Sequence, residues 1–417
     1  MVQGKENKYM INTGDTSFVL IATAMVLLMT PGLAFFYGGM VRRKNVLGVL
    51  MQCFIIMCVL GLQWVLFGYS LAFAPGNSFI GSLEWIGLRG VGLEPYADYA
   101  ATIPHQAFMI FQGMFAIITP ALIIGAFAER MKFSAFLVFT VLWATLVYDP
   151  IAHMVWGVGG YLRNLGALDF AGGTVVHINA GIAALVTALY LGKRKHFPVA
   201  VAPHNLPFTV LGAGLLWFGW FGFNAGSALA ANGIAVNAFV VTNVAAAAAG
   251  LTWALIDWLH NGKPTMFGTV TGAVAGLVAI TPAAGFVGVI PAILIGIGVS
   301  IICFLMVAVV KLKFGYDDSL DAFGVHGIGG IFGALATGLF ASKLINPAGA
   351  DGLFNGNPKL FFIQLGAVLF TLVYSLIVTF VILKVVDKVM GVRVDEKDEA
   401  IGLDLTQHKE TAYTVLE

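Results

Sequence analysis

The sequence predicts an all-α polytopic membrane protein. It would have eleven transmembrane helices in a 5+5 inverted repeat plus one extra helix, with the N-terminus outside and the C-terminus cytoplasmic. Three observations predict this. The 417 residues are 59% hydrophobic and only 10% charged, whereas soluble chains are about half apolar and about a quarter charged. The apolar residues fall in runs near the roughly 20 residues that a bilayer crossing takes. Two short motifs recur at the same offset of five runs. A mean hydropathy of +0.91 excludes an ordinary soluble domain, and the composition is the reverse of a disordered chain. A net charge of +1 offers no basic surface to nucleic acid, so no nucleic-acid partner is expected. Cys53, Cys58 and Cys303 all lie in apolar runs and indicate neither a disulfide framework nor a zinc site. No metal and no cofactor is implied.

The segment to about Asp15 is polar, and the apolar run after it is too long for the core of a cleavable signal peptide. The spans are expected at 16–39, 46–74, 106–128, 133–150, 171–191, 206–226, 235–259, 266–282, 286–310, 322–341 and 360–384. The membrane domain is then 1–384, with repeats at about 16–191 and 206–341 and the eleventh helix at 360–384. Connections are short except for 75–105 and the tail 385–417, whose twelve charged residues make it too polar to insert.

Lysine and arginine set the direction. The connections holding Arg42, Arg43, Lys44, Arg130, Lys132, Lys193, Arg194, Lys195, Lys263, Lys311 and Lys313, with the tail from Lys384 on, carry 16 basic residues. The other side carries six. The tail is therefore expected in the cytoplasm and the N-terminus outside.

The repeat rests on two matches. Ile118-Thr119-Pro120-Ala121 recurs as Ile280-Thr281-Pro282-Ala283, in the third and eighth spans. His177 follows Asp169 by eight residues, and His326 follows Asp318 by eight, in the fifth and tenth spans. Five is odd, so the second copy runs through the membrane in the opposite sense. Transporters built this way place their sites near midplane at the repeat interface.

His177 and His326 carry the sharpest chemistry. An ionisable side chain inside a span is costly and usually faces a cavity or a partner. A single such histidine equally well hydrogen-bonds a neighbouring helix. Two at equivalent repeat positions should approach each other across the pseudo-twofold axis, where they could share a proton. The glycines around them, among them Gly173, Gly181, Gly327 and Gly330, suit both close helix packing and a narrow pathway. Phe111, Phe115, Trp156, Trp220 and Phe223 are either ordinary membrane aromatics or cation–π partners of a dehydrating cation. Asp169 reads first as a helix cap and second as a long-range field on a cation; Asp318 and Asp321 read as caps too. No enzyme motif is present: Gly-Lys at 192–193 and 262–263 lacks P-loop spacing.

At these residues the chain resembles the ammonium transporter (Amt/Rh) family, on the Amt side. The most specific stretch is Asp169-Phe170-Ala171-Gly172-Gly173-Thr174-Val175-Val176-His177-Ile178-Asn179-Ala180-Gly181. Pro31-Gly32-Leu33-Ala34-Phe35-Phe36-Tyr37-Gly38-Gly39-Met40, Gly219-Trp220-Phe221-Gly222-Phe223-Asn224-Ala225-Gly226-Ser227 and Phe323-Gly324-Val325-His326-Gly327 support it. The resemblance runs from about residue 12 to Gly402-Leu403-Asp404. It implies that His177 and His326 are the twin histidines of the pore, and that Phe115 and Phe223 are the phenylalanine gate. It implies that Phe111, Trp156 and Ser227 form the outer ammonium recruitment site, and that Trp220 and Asp169 are pore-wall and structural residues. It also implies a homotrimer in the cytoplasmic (plasma) membrane and its lipid, and a PII-type signalling protein at the cytoplasmic face. The loop 192–205, with Lys195-His196-Phe197-Pro198, and Met266-Phe267 follow no recognised family pattern.

Ammonium and methylammonium donate hydrogen bonds and potassium does not, so a site offering acceptors selects them. The expected path is recruitment of the cation outside, loss of a proton near the Phe gate and passage of ammonia along the histidines. Two outcomes for the proton stand: relay over the histidine pair, giving electrogenic uptake, or retention outside, giving a passive ammonia gas channel. Competing readings are an ammonium sensor with little flux, a haem protein ligated by the two histidines, and a carrier of another small cation or gas. The tail is either a solvated end or, as the resemblance implies, a docked element coupling subunits.

Overall fold

A computed structural model describes residues 10–195, 197–198 and 202–413; His196 and tail residues 414–417 lie outside it. Regular structure among the described residues is helical. The main helices are α1 (Thr13–Met40), α2 (Arg43–Phe73), α3 (His105–Phe127), α4 (Phe133–Asn164), α5 (Gly173–Leu191), α6 (Leu206–Gly226), α7 (Gly233–Asn261), α8 (Met266–Ile280), α9 (Val289–Phe314), α10 (Phe323–Phe340) and α11 (Pro358–Met390). All but α8 are long and apolar enough to cross a membrane, so the described chain has ten such helices.

The run at 266–282 becomes a helix of only 15 residues. Its apolar stretch ends at Thr281-Pro282, where a proline follows and the chain passes into consecutive turns. Helix α4 errs the other way. Pro150 reads as a stop, yet the regular helix continues to Trp156; within the Phe133–Asn164 span the chain then breaks at Gly157–Gly160 and adds one last helical turn, Tyr161–Asn164. The widened π-turn Ala144–Tyr148 lies just before Pro150 and displaces the regular ladder there, so a missing N–H is tolerated.

In a bilayer an apolar helix can face either its neighbours or lipid, so burial within the chain and not hydropathy separates centre from periphery. Helices α3 and α5 are 89% and 83% buried within the chain, whereas α9 and α11 are only 28% and 33% buried. The first pair therefore forms the centre, and the second lies at the periphery. Helices α1 and α6 meet through Gly39 and Gly212; a Cβ at Gly212 would strike the backbone of Gly32 and Phe36. This is the small-residue contact that membrane packing favours.

The described tail does not hang free in solvent. Val394 N–H donates to Arg130 O (3.0 Å), and Lys132 N–H donates to Val392 O (2.9 Å). Leu403 N–H donates to Asn45 Oδ1 and Gly48 N–H to Asp404 Oδ1, both at 2.8 Å. Glu399 accepts Lys195 N–H (2.8 Å) and the Arg393 guanidinium (2.9 Å). The tail thus covers the end of the molecule where the basic connections gather.

Candidate functional site: a stacked histidine pair in a line of cavities

His177 and His326 both sit in widened π-turns that open their helices, Gly173–Ile178 and Phe323–Gly327. Local chemistry builds these turns. Asp169 accepts four backbone N–H groups, from Gly172, Gly173, Thr174 and Val175, at 2.7–3.0 Å. Gly172 has φ +113°, which suits glycine. Burial pushes the Asp169 carboxyl above its usual value, and the four N–H donors pull it back. Asp318 repeats the arrangement, accepting Ala322 N–H (3.1 Å) and Phe323 N–H (2.8 Å). Asp321 does not cap, against expectation. Its own backbone has φ +60°, and its carboxylate pairs with the Lys311 ammonium.

The two helices cross in backbone contact. A Cβ on Gly181 would collide with Gly327, and one on Gly330 would lie 2.9 Å from Ile178 N. Each contact is the counterpart of the other when one histidine turn is laid on the other. Without those glycines the imidazoles could not approach. The rings lie 5.4 Å apart at 14°, stacked. They are 1% and 3% exposed. Among the described residues, neither ring nitrogen of His177 has a hydrogen-bond partner, nor has His326 Nδ1.

Four cavities succeed one another around this pair, linked by shared or touching wall residues. The first, about 250 Å³, is walled by Trp156, Ser227, Phe115, Gln112, Asp169 and Phe170 among others. Phe115 of its wall packs on Phe223 of the next cavity, with ring centroids 4.3 Å apart and planes tilted by 37°. Beneath them His177, His326, Trp220, Phe223 and aliphatic side chains enclose about 10 Å³, room for about one water-sized molecule. His326 also walls a second slot of about 10 Å³, which Asp321 and Leu320 share. Asp321 and Leu320 in turn wall a cavity of about 450 Å³ at the basic end.

The aromatic side chains are fixed by their polar edges. Trp156 Nε1 donates to Asp169 O (2.8 Å). Trp220 Nε1 donates to Thr281 Oγ1 (2.9 Å), and its ring lies 5.5 Å from His177. Ser227 Oγ donates to Phe223 O (2.9 Å), so its lone pairs remain free to accept. Phe111 is fully buried, packs edge-on to Phe115 at 5.0 Å and is not part of the first cavity's wall. The structure therefore brings His177, His326, Phe115, Phe223, Trp156, Ser227 and Trp220 into one contiguous group and sets Phe111 outside the cavity wall.

Sequence reasoning missed Gln112, a cavity wall residue whose Oε1 has no partner among the described residues. Its place three residues before Phe115 on α3 was the available signal. It also missed the ion-pair cluster beside the lowest cavity. Arg130 pairs with Asp317 (2.9 Å) and Arg194 with Asp317 (2.8 Å). Arg42 and Arg194 both pair with Glu129, at 3.0 and 3.4 Å. Burial alone would raise the Asp317 and Glu129 carboxyls; the arginines outweigh it and hold both below the usual range.

A family model described as the Ammonium Transporter Family matches residues 17–413. An ammonium transporter of Bacillus subtilis (strain 168) is 59% identical over 400 residues, covering 96% of this chain and 98% of that protein. Ammonium transporter Amt1 of Archaeoglobus fulgidus is 48% identical over 406 residues, covering 97% and 100%. The crystal structure of Candida albicans Mep2 aligns with a TM-score of 0.88 and 40% identity, over 96% of this chain and 90% of that one. A structure described as a Sensor Amt Protein aligns at 0.87 with 28% identity, over 95% and 98%.

Proposed function

Because the chain belongs to the Ammonium Transporter Family, we propose that it takes up ammonium across the cytoplasmic membrane by the route the cavities mark. The observation that carries this reading is the stacked His177–His326 pair, closed off from the wide cavity by Phe115 and Phe223. We read the fold as eleven crossings, α8 included, in a 5+5 inverted repeat with α11 outside it. The reciprocal contacts of Gly181 and Gly330 support that symmetry. The basic end is then cytoplasmic and the Trp156 cavity faces outward.

In that cavity Ser227 supplies an acceptor to an N–H of ammonium, and Trp156, its indole N–H already engaged, presents a fixed face to the cation. Potassium has no hydrogen to donate and leaves the acceptor unmatched. Carrying a bare cation into the dry slot costs several kcal/mol even after relaxation. Losing one proton at the Phe gate removes most of that cost. Ammonia then passes the histidines, whose free nitrogens offer an acceptor or a donor to it, and leaves past Asp321. The same imidazoles connect the two sides for the proton, which favours electrogenic uptake over a gas channel.

The tail 385–417 serves as the regulatory surface, in a homotrimer whose cytoplasmic face receives a PII-type protein. The test is ammonium-evoked current in proteoliposomes on a supported membrane, with potassium as control. His177→Ala should abolish the current in protein that still folds. Undiminished, still selective current would overturn the relay. No current from the parent protein would favour the second reading, an ammonium sensor, which the Sensor Amt Protein neighbour brings into view.

A further inference from the structure

We propose that Asp98 is the electrostatic collector of the first cavity, a positioning residue that raises the local concentration of the cation at its mouth. This inference rests on the transport reading above. The cavity wall contains three side chains that carry formal charge, Asp98, Arg163 and Asp169. Asp169 faces inward to its own helix and spends both oxygens on four backbone N–H groups. Arg163 is cationic and repels the substrate; its Nη1 is tied to Trp156 O at 2.6 Å. Asp98 is exposed at the rim and forms no ion pair among the described residues. Its carboxylate is the remaining wall charge of the sign a cation seeks.

The backbone that carries the carboxylate is also held in place. Asp98 lies in the turn closed by Ala100 N–H to Tyr96 O (2.9 Å). Its neighbour Tyr99 donates to Phe73 O (2.6 Å) and accepts from Val158 N–H (3.1 Å). The Tyr99 ring stacks on Phe108 at 4.9 Å and 10°. A charge carried at the edge of a low-dielectric cavity directs part of its field inward. One unit charge near the surface changes the local cation concentration by about threefold at low salt. That effect fades as the Debye length falls from about 30 Å at 0.01 M to about 8 Å at 0.15 M. Because Asp98 lies at the rim and not at the gate, it acts on capture and leaves the rate of crossing alone.

The experiment is ammonium-evoked current against ammonium concentration in proteoliposomes, at low and high ionic strength set with N-methylglucamine chloride. Asp98→Asn should raise the half-saturating concentration about threefold at low salt, with the limiting current unchanged. The difference from the parent should vanish at high salt. Asp98→Glu should restore the parental value, and Arg163→Gln should lower it. Ser227→Ala, run in parallel, should weaken binding at both salt concentrations. If Asp98→Asn is indistinguishable from the parent at low salt while Ser227→Ala is impaired, the collector role is wrong and the outer-cavity reading stands. A salt-independent loss in Asp98→Asn would also overturn it, as a structural effect. If neither variant changes half-saturation, the outer-cavity reading fails together with the collector role.

Discussion

At the scale of single residues, position relative to a backbone N–H decides what an acidic side chain does. Asp169 and Asp318 each precede a histidine by eight residues, and both spend their oxygens on the N–H groups that open a helix. The field of a helix N-terminus and its orphan donors favour an anion there. Asp321, three residues beyond Asp318, sits in a left-handed backbone and takes Lys311 instead. Asp169→Ala would leave four buried donors without acceptors. It should lower stability by about 3 kcal/mol or more, read as a drop in thermal midpoint in detergent, with Asp169→Asn intermediate. An unchanged midpoint in Asp169→Ala would show that water replaces the carboxylate fully. The histidines are legible in the sequence because ionisable groups are rare in apolar runs. The placement of Phe111 behind Phe115 is not, since three or four residues along a helix specify a face and not what that face meets.

At the scale of elements, the departures from expectation come from backbone hydrogen bonding that a hydropathy pattern does not encode. The helix through Pro150 survives because a π-turn precedes it. The histidine turns are π-turns for a related reason: the wide turn swings each imidazole to the crossing, where glycines clear the way. The basic connections were visible as a count that sets direction. Their pairing was not, because Asp317 lies far in sequence from Arg130 and Arg194. This cluster makes a pH prediction. Asp317 and Glu129 are held below the ordinary carboxyl value of about 4. Their contribution to stability is complete above that value and is lost as pH falls through their lower folded values. As pH falls through those depressed values the connection at 193–195 should release, and the tail docked on it should become open to proteolysis before the helices unfold. Equal tail cleavage along a descending pH series, down to the onset of helix unfolding and by a protease active throughout, would refute this. Removing one member of the buried Arg130–Asp317 pair should cost about 3–5 kcal/mol.

At the scale of the whole molecule, the cavities and the tail lie at opposite ends of one mechanical chain: cavity walls at Asp321 and Leu320, the Arg194–Asp317 pair, the 193–195 connection, then Arg393 and Glu399. Deleting residues 395–417 should therefore change uptake and abolish binding of a PII-type protein. Unchanged values of both would return the tail to a solvated end. By itself, the amino-acid sequence determined that this chain is a multi-pass helical membrane protein and which two histidines are its anomaly, because apolar length and charge scarcity are properties of composition along a line. Only the tertiary structure decided that the two imidazoles stack 5.4 Å apart, that Phe115 packs on Phe223 beside them, and that the tail docks. Those depend on glycine-permitted crossings and on hydrogen bonds between residues far apart in the chain, which no local pattern records.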